Sequence, residues 1–299
     1  MGKGRFIVNP FEDLVMTPDD RSQLQGLAHS LIMSNLDHYN RFISSGKGQV
    51  DSHRWKQIKA REQLLVFAER SGFKPTTGEL SGSGLPMILC VGSMMGKLED
   101  LMYGVMSEDL ETMRFKASYV NDVSGAAALG SIVEPTSNYP FQTLMIKWME
   151  IDIPLASMNF VKNRDYVYLE GTGMIKAANG DRLGYHLLHS VDFPETPKLP
   201  NRIRGNISMM AFWRQAKSNT IEMYATGIFD PCGDVARVLA VPRMADMFLA
   251  SVKYPHCGQM RKLSFMLDKA YADSRQHGGA KDELCVSRFA AVSTEGDIL

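Results

Sequence analysis

Arg164-Asp165-Tyr166-Val167-Tyr168-Leu169-Glu170 reads as a β-strand whose two faces can be separated from the sequence alone. Successive side chains on a strand point to opposite sides, so Tyr166, Tyr168 and Glu170 share one face while Asp165, Val167 and Leu169 share the other. The run belongs to a series: residues 141–151, 164–175, 182–193, 203–216 and 220–229 are β-rich and separated by turn signals such as Asn179-Gly180-Asp181 and Lys217-Ser218-Asn219. Connections this short pair consecutive strands antiparallel, so the series is a meander and not a βαβ chain.

Outward from the meander, residues 242–271 return to helical spacing, with Met244, Met247, Phe248 and Val252, then Leu263, Met266, Leu267 and Ala270. Within it, Tyr254-Pro255-His256-Cys257-Gly258 predicts a kink or a two-piece helix, because proline removes a backbone donor and clashes with the preceding turn. Upstream, Thr17-Pro18-Asp19-Asp20 opens a capped amphipathic helix over 17–43. Residues 53–69 read as a strand pair, 71–84 as a mobile loop rich in Gly, Ser, Thr and Pro, 86–94 as a buried strand, and 97–106 and 108–115 as two short helices. The expected organisation is an N-terminal segment 1–16, one domain over 17–271, and a polar tail 272–299 expected to be poorly ordered. Its architecture is α+β, a long C-terminal helix closing an antiparallel sheet.

Composition narrows the function classes. The 299 residues carry 33 Lys+Arg against 33 Asp+Glu, a formal net charge of zero, which supplies no basic surplus for non-specific nucleic-acid binding. With 44% hydrophobic and 22% charged residues the composition is globular. Cys90, Cys232, Cys257 and Cys285 lie far apart, without metal-ligand spacing. No apolar run reaches the ~18 residues of a membrane span, and the N-terminal residues lack the apolar stretch of a signal peptide, so a cytoplasmic protein with at most peripheral membrane contact is expected. Signals for chemistry fail. Gly92-Ser93-Met94-Met95-Gly96-Lys97-Leu98 has three residues between its glycines and no hydroxyl after the lysine, so it is not a phosphate loop. His186 and His189, three apart on one strand, face opposite ways and cannot share a metal. No nucleophile elbow occurs, and neither cofactor nor metal is expected.

The Arg164-Asp165-Tyr166-Val167 strand, the later Arg202-Ile203-Arg204-Gly205 and the Asp230-Pro231-Cys232-Gly233-Asp234 turn before a terminal helix occur in an order that resembles the START domain, the steroidogenic-acute-regulatory-related lipid transfer fold. Trp55, the Gly96-Lys97-Leu98-Glu99-Asp100 stretch and Lys147-Trp148 agree with it. The resemblance covers about 17–271 and is nearest a START-like branch often linked to a C-terminal FYVE zinc finger; the finger's paired cysteines do not occur after Tyr271. It implies the helix-grip fold, a curved antiparallel sheet wrapped on the C-terminal helix around an apolar tunnel for one lipid or sterol. It also implies a non-enzyme that carries or senses its ligand, with transient membrane contact.

In such a fold Glu170 faces the tunnel, and a carboxylate there needs a partner or a proton. Lys147 is the nearest candidate, with Arg182 and His186 as alternatives, and Glu170 with one of these is expected to hold a lipid hydroxyl or headgroup. Glu170→Gln is expected to change ligand choice without unfolding the protein. Solvation of Glu170 at a sheet edge is the competing reading. The resemblance places Met149, Tyr166, Tyr168, Met210, Met223, Met244, Met247 and Phe248 around the ligand, although each methionine could equally be core filler. Two other functions stay open. One is an adaptor that keeps the fold without carrying lipid. The other is a helix-grip enzyme using His186, Glu170 and Asp165.

Overall fold

A computed structural model describes residues 7–71, 84–119, 123–151, 162–233 and 237–276. Helix α1 (Pro18–Ser44) starts where the sequence places it. Thr17 Oγ1 accepts the Asp20 N–H at 3.1 Å and Asp20 Oδ2 accepts the Thr17 N–H at 2.8 Å, a reciprocal cap with Pro18 in the first turn. The helix buries Leu24, Ala28, Ile32, Leu36 and Tyr39, one stripe at three- and four-residue spacing.

The strands are β1 (Ile7–Val8), β2 (Trp55–Arg61), β3 (Gln63–Glu69), β4 (Ile88–Met95), β5 (Val123–Val133), β6 (Thr143–Ile151), β7 (Asn163–Lys176), β8 (Arg182–Ser190), β9 (Arg202–Arg204), β10 (Asn206–Lys217) and β11 (Thr220–Asp230). They form one eleven-stranded sheet in the order β1-β5-β6-β7-β8-β10-β11-β4-β3-β2, with β9 pairing β7. The expected meander is its centre, β6 through β11, all antiparallel apart from the short β9 pairing. Strand β5 was not expected. Its sequence, Val-Ser-Gly-Ala-Ala-Ala-Leu-Gly-Ser-Ile-Val, is built from small residues of low strand preference, and pairing with β6 holds it in place.

The sheet separates two apolar layers. On its outer face, α1 covers Ile146, Trp148, Val167, Leu169, Leu187 and Phe212. On its inner face, Met149, Tyr166, Tyr168, Leu188, Trp213 and Met223 meet helices α2 (Leu98–Val105) and α4 (Arg237–Leu249). Helix α3 (Leu110–Tyr119) follows α2. The C-terminal helix is in two pieces: α4, then a 3-10 turn at Ala250–Lys253, then α5 (Tyr254–Gln276) with Pro255 in its first turn. Helix α5 therefore runs five residues beyond 271, through the first part of the segment expected to be tail, and residues 277–299 lie outside the described residues. So do residues 72–83 of the loop expected at 71–84, and Asp234. No described helix is long and apolar enough to cross a membrane.

Helices α2 and α5 touch backbone to backbone. A Cβ on Gly104 would fall 2.0 Å from the Tyr254 carbonyl oxygen, and one on Gly258 would fall 1.9 Å from that of Asp100. Backbone cannot retreat from such an overlap as a side-chain tip can, so Gly258→Ala must push the helices apart. It is expected to destabilise by roughly 1–3 kcal/mol, read as a lower urea midpoint at unchanged slope; an unchanged midpoint would contradict the close crossing.

Candidate functional site on the inner face

Glu170 lies in β7, flanked on both sides by paired strands, and is only 3% exposed. Its cross-strand partners are Met145 and Leu188, and its polar partners reach it from the diagonals: Lys147 from β6, opposite Tyr168, and His186 from β8, opposite Thr172. Lys147 Nζ donates to Glu170 Oε2, to the Ser107 carbonyl, and to Ser107 Oγ at 3.0 Å. His186 Nε2 lies 2.7 Å from Glu170 Oε1, and Lys116 of α3 adds a second ammonium at 3.7 Å while donating to the Val105 carbonyl at 2.6 Å. Solvation at a sheet edge is thereby ruled out.

Burial acts to raise the Glu170 carboxyl, but Lys147, Lys116 and the His186 hydrogen bond outweigh it and hold the group well below its ordinary value. Burial lowers the Lys147 ammonium against the pull of Glu170. Burial likewise lowers His186, so at neutral pH its imidazole is uncharged. An ionised carboxylate only accepts hydrogen bonds, so the His186 proton sits on Nε2 and Nδ1 presents a lone pair.

That lone pair has no partner, and neither does the nearby Trp213 Nε1–H; both atoms are buried. The two rings are stacked, 6.3 Å between centroids and 22° between planes, and Tyr254 meets Trp213 edge-on at 6.3 Å. An unused acceptor and an unused donor thus belong to rings whose centroids are 6.3 Å apart. Buried polar atoms are seldom left this way.

Of the residues expected around a ligand, Met149, Tyr166, Tyr168, Met223, Met244 and Phe248 belong to the inner layer, and Met247 packs against it half-buried. Met210 and Arg182 do not join them. Met210 points to the outer face beneath α1, because its neighbour Met209 takes the inward side of β10. Arg182 lies at the start of β8 with its side chain 55% exposed and pairs with Glu99 at 2.9 Å. Asp165 also faces outward, held by Arg204 at 2.9 Å and by Trp148 Nε1 at 3.1 Å, so the acid–base set His186, Glu170 and Asp165 is split across the sheet. Among the described residues no group of His, Cys, Asp and Glu could hold a metal ion.

No family model matches the chain, and no curated protein matches it. Solved structures do. The human StAR-related lipid transfer protein 5 aligns over 82% of this chain and 99% of its own, at 15% identity and a TM-score of 0.53. Human STARD10 aligns over 83% and 84%, at 14% identity and a TM-score of 0.50. The chain has the START fold. At this identity the likeness concerns architecture, and function rests on the residues themselves.

Within this START fold, the strings that carried the resemblance serve different ends. Arg164 donates to the Pro231 carbonyl at 3.1 Å and the Cys232 carbonyl at 3.3 Å, fixing the turn where Cys232 and Gly233 adopt φ of 50° and 65°. Arg204 also donates to the carbonyls of Thr196 and Pro197, which pins the proline-rich segment 192–200 to the sheet. Lys116, Ser107, Trp213 and Tyr254 are parts of the inner site that sequence reasoning passed over. Only Trp213 carried a usable signal, since alternation along β10 sets it on the same side as Met209.

The ion pairing alters the expectation for Glu170→Gln. Lys147 would be left buried without a counter-charge, so the substitution is expected to cost about 3–5 kcal/mol, and Lys147→Met in the same chain to recover much of it; equal stability of wild type and Glu170→Gln in urea would sink this assignment. The pH dependence has a definite sign. His186 takes up a proton more readily unfolded than folded, so stability is full above its unfolded value of 6.5 and falls below it; Glu170 extends the loss as pH drops from its unfolded 4.5 through its lower folded value. His186→Asn should flatten the portion of the stability–pH curve near pH 6.5 while leaving the acid limb.

Proposed function

We propose that the protein binds one hydrophobic molecule, a lipid or sterol, against the inner face of its sheet, and carries or senses it without covalent chemistry. The observation that carries this reading is the unpartnered pair, His186 Nδ1 as acceptor and Trp213 Nε1 as donor, beside the Glu170 carboxylate, whose own partners are in place. A single ligand hydroxyl satisfies both atoms at once, accepting from the indole and donating to the imidazole. The charge cluster then acts through position: Glu170 fixes the tautomer of His186 and with it the polarity the ligand meets.

The rest of the ligand is apolar by the same argument. Met149, Tyr166, Tyr168, Met223, Met244 and Phe248 offer two tyrosine rings, a phenyl ring and three adaptable thioethers. Such surroundings select for shape and area, with a few polar groups fixing orientation. The unit doing this is residues 17–271 extended by the remainder of α5. Uptake and release occur through weak contact with a membrane surface, and the exposed Leu263, Phe265 and Met266 of α5 supply apolar area for that contact. Zero net charge gives no general attraction to anionic membranes.

Native mass spectrometry of protein expressed in a lipid-rich host is expected to show one hydrophobic molecule per chain, identified by extraction. Trp213→Phe, which keeps the ring and removes the donor, should weaken retention about five- to tenfold, the worth of one hydrogen bond. An empty protein that also takes up no sterol, phospholipid or ceramide probe would overturn the reading and favour an adaptor.

A further inference from the structure

We propose that the outer face of the sheet carries a second binding site, a cleft beneath the C-terminal half of α1 that takes a single-chain carboxylate amphiphile such as a medium-chain fatty acid. The cleft has a volume of about 340 Å³. That is at the small end of ligand sites, about 300–1,000 Å³, and suits one chain better than a two-tailed lipid.

The hollow has a sequence cause. Tyr39 and Phe42 hold α1 against Tyr224, with ring centroids 5.6 and 5.0 Å apart. Beside that contact the sheet presents Ser208, Thr226 and Gly227, small residues on the paired strands β10 and β11. Helix and sheet therefore cannot close there, and Leu31 and Asn35 overhang the gap from α1. The interior polar groups are already engaged: Thr226 Oγ1 donates to Asn35 Oδ1 at 3.4 Å, Asn35 Nδ2 donates to the Leu31 carbonyl at 2.8 Å, and Ser208 Oγ bonds His189 Nδ1 at 3.0 Å. Leu89, Met210, Tyr224 and Trp55 supply apolar surface between these groups.

The rim is cationic. Arg41 and Arg54 line the cleft with His38, and Arg54 is balanced by Glu69 at 2.7 Å. Arg41 forms no ion pair among the described residues; its Nε donates to the Asp37 carbonyl at 3.3 Å, which leaves the rest of its guanidinium fork to solvent. Burial lowers His38, and the charges of Arg41 and Arg54 lower it further against Asp37; the two charged side chains that line the cleft, Arg41 and Arg54, are both cations. A carboxylate seated on the Arg41 fork, with its chain running inward over Phe42 and Tyr224, matches both charge and shape. Met210 and Tyr224 face away from the Glu170 cluster across the sheet, so the two sites are separate.

The test is calorimetric titration of the full chain with decanoate, held below its micelle threshold, and with decanol as the uncharged control. Decanoate should bind about tenfold more tightly than decanol, and Arg41→Ala, at an exposed position whose backbone contact is one of the last in the helix, should remove that advantage. Trp213→Phe, on the other face, should leave decanoate binding unchanged. Absence of decanoate binding, equal affinity in wild type and Arg41→Ala, or loss of binding in Trp213→Phe would each overturn the proposal.

Discussion

Removing a carboxylate from water is unfavourable by several kcal/mol unless opposite charge and hydrogen bonds replace the solvent, and Glu170 meets that condition from three directions. Lys147 and His186 come from the strands on either side, and Lys116 comes from α3. Lys147 must in turn be satisfied, which fixes Ser107 in the segment between α2 and α3. One buried charge therefore fixes the positions of β6, β7, β8, α3 and the connection before α3. It also sets a charged group within a layer made largely of apolar side chains.

The sheet works as a partition because a strand offers its two faces on alternate residues. Within seven residues β7 sends Glu170 inward and Asp165 outward, and each carboxylate meets cations of its own, Lys147 and Lys116 on one side and Arg204 on the other. The outward group is structural. It orients Trp148 beneath α1 and, through Arg204, the segment that precedes β9. An arginine and two carboxylates in one strand thus tie down a turn, an outer layer and an inner site without interfering with one another.

Much of this was legible where local rules suffice. Thr17 and Asp20 announce the start of α1, the turn sequences announce the meander, and Pro255 announces a divided C-terminal helix, because each rests on contacts between residues close in the chain. Strand β5 escaped notice since alanine and glycine carry no period, and only the neighbouring strand makes them a strand. Alternation would have excluded Met210 once Trp213 was known to face inward. Arg182 has the right parity but sits at the end of β8, where Glu99 at the start of α2 is within reach. Nothing near Lys116 or Ser107 in sequence foretold their roles, since packing of α3 over the sheet brings them to Glu170.

The 3-10 turn at Ala250–Lys253 divides the C-terminal helix into parts with unequal freedom. Helix α5 is clamped to α2 by glycine-to-backbone contact, reinforced by Lys262 on Asp100 at 2.5 Å. Helix α4 instead lies over β2, β3 and β4, held by the side chains of Met244, Ala245, Phe248 and Leu249 and by contacts that include the exposed ion pair of Lys59 with Asp246. Mechanically the pair is a fixed post and a leaf, joined by a four-residue pivot. Lifting the leaf would break side-chain contacts and leave both the backbone contact of the post and the Glu170 cluster whole, since that cluster draws on β6, β7, β8 and α3 and on no residue of α4.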